Sequence, residues 1–70
     1  MAQVRIYIMH PAYNTKRWHV SVDGKDGDSY PDGLLALHAA CERARLMEEM
    51  GDDATVLQED ADGVWHIVRE

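Results

Sequence analysis

Val4, Ile6 and Ile8 alternate with Arg5, Tyr7 and Met9, the period-two pattern of a strand that buries one face. The strand is expected to end near His10, because Pro11 cannot donate to a ladder and Ala12-Tyr13-Asn14-Thr15 is long enough for an open hairpin loop. Trp18, Val20 and Val22 then alternate with Arg17, His19 and Ser21, giving a second strand closed by Asp23-Gly24. The glycine- and aspartate-rich stretch from Asp23 to Gly33 reads as a loop. A helix follows from about Gly33 to Met50, with Asp32 as its cap, or Asp28 or Ser29 if it begins earlier, and Gly51 as its stop. Thr55-Val56-Leu57 and Val64-Trp65-His66-Ile67-Val68 form a second hairpin around Asp60-Ala61-Asp62-Gly63. The expected fold is a single α+β domain over residues 1–70, ordered β-β-α-β-β, with one helix on a four-stranded, mainly antiparallel sheet of undetermined strand order.

The helix carries more apolar surface than one sheet requires. At 100° per residue, Ala36, Leu37, Ala40, Cys41, Ala44 and Met47 share one arc, and Leu35, Ala39, Leu46 and Met50 a neighbouring one. On the strands, Trp18, Val20, Val22, Trp65 and Ile67 are expected to meet the helix, while Tyr7, Met9, Val64 and Val68 lie on the opposite side. A helix about 10 Å across cannot cover four strands spaced about 4.8 Å apart. The surplus predicts a homodimer or a dedicated protein partner, with Tyr7, Met9, Leu35, Ala39, Leu46, Met50, Val64 and Val68 as candidate interface residues.

Size and charge narrow the function classes. A chain of 70 residues buries only about 60% of its unfolded surface, so a second subunit would reinforce a thin core. Cys41 is the single cysteine; no disulfide can form within the chain, and a thiol among alanines and leucines reads as a small hydrophobe in a reducing cytoplasm. No signal-peptide core or membrane-spanning apolar run is evident. Thirteen acidic against seven basic residues give a net charge of −6, which opposes direct nucleic-acid binding. Asp52, Asp53, Glu59, Asp60 and Asp62 form a candidate acidic contact rim.

The chemistry-bearing residues make no catalytic or metal motif. His19 and His66 are expected on one side of the sheet, where they could meet across neighbouring strands, but no local ligand pair accompanies them. Asp23-Gly24-Lys25-Asp26-Gly27-Asp28 resembles a calcium loop only in composition, since a lysine interrupts it and no glutamate closes it. Lys16-Arg17-Trp18 has the residue types of a base-stacking site, yet Trp18 is in phase with the core valines. Ser21 and Ser29 lack a nucleophile's setting, and no phosphate-binding loop precedes the helix. The expectation is a protein that is not an enzyme and has no cofactor, catalytic residue or metal site.

Trp18-His19-Val20, the alanine-rich Ala36 to Ala44, and Thr55 to Val68 around Asp62-Gly63 resemble a small bacterial domain family of unknown function. The likeness runs from about Lys16 to Arg69, and the glutamate-rich helix end and Asp52-Asp53 depart from it. It implies a fold and no activity. The leading functional expectation is a small cytoplasmic, self-associating protein-interaction or regulatory module of a bacterium or phage. An acidic nucleic-acid mimic that inhibits a nucleic-acid enzyme is the alternative, and a small-ligand or metal-binding dimer the third.

Overall fold

The computed structural model describes residues 2–12, 14–25 and 27–70. Tyr13 and Asp26, assigned above to the two N-terminal loops, lie outside the described residues, as does Met1. Five strands and one helix follow in the order β1 (Gln3–Met9), β2 (Trp18–Val22), β3 (Ser29–Tyr30), α1 (Gly33–Glu49), β4 (Asp53–Glu59) and β5 (Trp65–Arg69). The class is α+β with one helix, and no helix is long and apolar enough to cross a membrane.

The strand count corrects the four-stranded expectation. β3 pairs Ser29 with His19 and Tyr30 with Trp18, inside the stretch assigned to loop. Two residues are too few to show a period, and the glycines and Pro31 around them dominate the composition. The sheet is mixed, in the order β3-β2-β1-β4-β5. β1 and β4 run parallel at its centre, and the other pairs are antiparallel. A parallel neighbour for β1 requires a crossover, and α1 supplies it between β3 and β4.

α1 begins and ends as its residues dictate. Asp32 is extended (φ −150°, ψ 140°), and its Oδ1 accepts hydrogen bonds from the Leu34 and Leu35 N–H groups at 2.6 and 3.4 Å, satisfying donors that have no partner within the helix. At the other end Gly51 takes φ +94°. The Gly51 N–H then donates to the Glu48 carbonyl and the Asp52 N–H to the Met47 carbonyl, both at 3.0 Å, the paired bonds of a glycine-terminated helix.

The core is built from small residues on α1 against branched ones on the central strands. Ala36, Ala40 and Ala44 are fully buried at one-turn intervals over Ile6, Ile8 and Val56, also fully buried. Alanines bring the helix close to the sheet, and Trp18, Val22, Tyr30, Leu37 and Met47 fill the margins. Trp65 and Ile67, expected beneath the helix, are instead 40% and 59% exposed on the other face. Register explains the correction. Leu57 pairs with Ile67 and Glu59 with Trp65, so all four share the side opposite buried Val56. Val64 to Val68 is apolar at alternate positions on both sides save for His66, so periodicity alone does not choose its face. A bulge then lets Val56 oppose Arg69 and returns β5 to the helix side, where Arg69 donates to Glu48 of α1 at 2.7 Å.

Candidate protein-interaction surface

Among the described residues no helix or strand covers the sheet face away from α1, and strand register fixes what it displays. Across β2, β1, β4 and β5 one row reads Ser21, Tyr7, Leu57 and Ile67, and the next reads His19, Met9, Glu59 and Trp65. The Tyr7 and Trp65 rings meet edge to face, 5.4 Å between centroids and 80° between planes, a favourable aromatic geometry. Tyr7, Met9 and Leu57 are half-buried while Ile67 and Trp65 stand proud. The exposed apolar surface of this face is therefore concentrated on β5, whereas Ser21 at the β2 end is buried, only 3% exposed.

Charge is also divided on this face. Arg5, Arg17 and His19 lie on the β1–β2 half, and Asp53 and Glu59 on the β4 half. Arg17 is laid along β3, donating to the Ser29 hydroxyl at 2.9 Å and the Ser29 carbonyl at 3.1 Å. Asp23, beyond β2, turns its carboxylate onto the Arg5 N–H at 3.0 Å.

No protein-family model, curated protein or solved structure matches this chain.

Of the predicted interface residues, the fold brings Tyr7 and Met9 together on the bare sheet face. Leu35, Leu46 and Met50 are exposed on α1, and Ala39 is half-buried there. Val64 precedes β5 in the second hairpin, and Val68 borders a concavity on the helix side. These are three separate surfaces. Leu57, Trp65 and Ile67 complete the apolar face and were missed by the periodic reading, although the alternation around Val56 carries the signal for Leu57.

The acidic rim divides as well. Asp52 and Asp53 stand at the start of β4, whereas Glu59 ends it and Asp60 and Asp62 follow. Several of these carboxylates serve the fold. Asp52 accepts from the Ala2 N–H at 3.3 Å, and Glu59 from the His10 N–H at 3.1 Å. Asp60 Oδ1 accepts from the Asp62 and Val64 N–H groups at 2.9 and 3.0 Å, and its Oδ2 lies 2.7 Å from His66 Nε2. The His66 hydrogen bond, followed by that from Val64, holds the Asp60 carboxyl below its ordinary range.

The expected meeting of His19 and His66 does not occur, because β1 and β4 separate their strands and the two rings fall on opposite faces. Among the described residues no group of three or more His, Cys, Asp or Glu is placed to hold a metal ion. His66 lines an open concavity of about 420 Å³ with His10, Trp18, Gln58 and Val68. His10 packs edgewise on Trp18 with centroids 4.9 Å apart, so the aromatic groups there support one another. Cys41 is half-buried on α1 with a free thiol.

Proposed function

We propose that this chain is a small protein-interaction module whose working surface is the uncovered sheet face of Tyr7, Met9, Leu57, Trp65 and Ile67. The observation that carries the reading is that Ile67 and Trp65 are exposed on the same face as Leu57 and Tyr7, whose ring meets that of Trp65. Contiguous apolar surface of this kind is unfavourable in water and marks contact sites. Aromatic residues in particular supply much of the binding energy at such sites.

The test is photocrosslinking in cells that make the protein, with a benzophenone amino acid placed at Ile67 or at His38, which is exposed on α1. Covalent protein adducts from position 67, lost when Leu57→Asp is added and absent from position 38, are the expected result. Adducts from position 38 alone would move the working surface to the helix and overturn the proposal. The acidic-mimic alternative is less well supported, because its carboxylates are split between the two ends of β4 and several are engaged by backbone N–H groups.

A further inference from the structure

We infer that the partner of the bare sheet face is a second copy of this chain, packed face to face about a two-fold axis that runs along the strands between β1 and β4. The inference rests on the interaction-module reading and names its partner.

The two halves of the face are related to one another by this operation. A two-fold axis in that position keeps each row at its own level and exchanges its ends. β1 then lies over β4 of the second copy, and β2 over its β5. In the central row Ser21 meets Ile67, the most exposed apolar side chain of the face, and Tyr7 meets Leu57. In the next row His19 meets Trp65. Each of these contacts is made twice, as an isologous interface requires.

Charge obeys the same operation. Arg5 and Asp53 are two residues apart along the paired strands β1 and β4, about 7 Å in level. Arg5 of each copy therefore comes within a side chain's reach of Asp53 of the other. Arg17 and His19 are carried toward the half that holds Glu59. A chain of net charge −6 repels its own copies over most of its surface. On this face charges of both signs are present, so a second copy meets less repulsion here than elsewhere.

The contact is small. Four strands and about six residues of length span roughly 19 Å by 20 Å, below the roughly 800 Å² per partner of a standard interface. A reversible dimer with a dissociation constant in the range of about 10 to 100 μM is expected.

Sedimentation velocity of the full chain from about 5 μM to about 1 mM tests this. The expected result is a monomer–dimer equilibrium that Arg5→Glu weakens at least about tenfold and that Arg5→Glu with Asp53→Arg returns to within about threefold of the parent. Arg5 and Asp53 are both exposed, and circular dichroism of each variant verifies folding. His38→Ala on α1 leaves the equilibrium unchanged. A dimer insensitive to Arg5→Glu would place the contact elsewhere and overturn the inference. A monomer throughout would also overturn it. In that case, crosslinks from position 67 to a different protein leave the interaction-module reading standing, and their absence removes both.

Discussion

Comparing Ile6→Ala with Ile67→Ala tests which face of β5 meets the helix, the point at which structure and periodicity disagree. Ile6 is fully buried beneath the alanines of α1, whereas Ile67 is 59% exposed on the far face. Ile6→Ala deletes three carbons, worth about 2.4 kcal/mol at about 0.8 kcal/mol per buried methylene. The cavity left behind adds to this, for a total of about 3 kcal/mol or more within the usual range of about 2–5. Ile67→Ala removes the same atoms from a site less than half buried, so the loss is about 1 kcal/mol or less. A 70-residue chain has a total stability on the order of 3.5–10 kcal/mol, so the first substitution consumes a large share of it. With a urea m-value of about 1 kcal/mol/M, the midpoint should fall by about 3 M for Ile6→Ala and by under about 1 M for Ile67→Ala. Equilibrium unfolding followed by far-UV circular dichroism measures both, at a few micromolar protein so that association does not contribute. Equal shifts, or a larger one for Ile67→Ala, would mean that β5 presents its other face to the helix, and the bare-face argument would fall with it.

Two further predictions concern single residues. Asp32→Ala leaves the Leu34 and Leu35 N–H groups without their carboxylate acceptor and should cost about 1 kcal/mol in the same unfolding assay, with Asp32→Asn largely retaining the cap. The Asp60 carboxyl is held down chiefly by His66 and then by the Val64 N–H; because its folded pKa is depressed, it favours the native state above the ordinary value of 3.8, and that contribution is lost as pH falls through the lower folded value. Carboxyl-carbon NMR titration should find the Asp60 midpoint raised in His66→Ala yet still below 3.8, and an unmoved midpoint would refute the assignment.

The parts of the fold that could be read in advance are those where one residue does one local job. Asp32 and Gly51 bracket α1 because a carboxylate acceptor at one end and a left-handed residue at the other are chemical requirements visible in four or five letters. Val4, Ile6 and Ile8 announce a buried face because Arg5 marks its opposite. β3 gives no such notice. Its two residues become a strand only because β2 offers an edge at Trp18 and His19, which is a property of the assembled sheet. The parallel pairing of β1 with β4 has the same origin, since it depends on where α1 returns the chain.

The candidate surface was legible only in part, for a related reason. Tyr7 and Met9 could be assigned to the outer face because the rest of β1 has a clear alternation. Trp65 and Ile67 could not, because β5 is apolar on both sides and its orientation is imposed by pairing with Leu57 and Glu59. An edge strand that offers similar apolar residues to either side needs little sequence information to fold, since pairing and the Arg69 to Glu48 contact fix it. Its outward side chains are then released from any duty to the core. Ile67 and Trp65 are large, costly to expose and unnecessary to the packing beneath α1. A stability role alone would be served as well by threonine or lysine at those positions. That excess, set beside the opposite charges on the same face, is the physical reason to test for a partner surface, a second copy of the chain being the one proposed above.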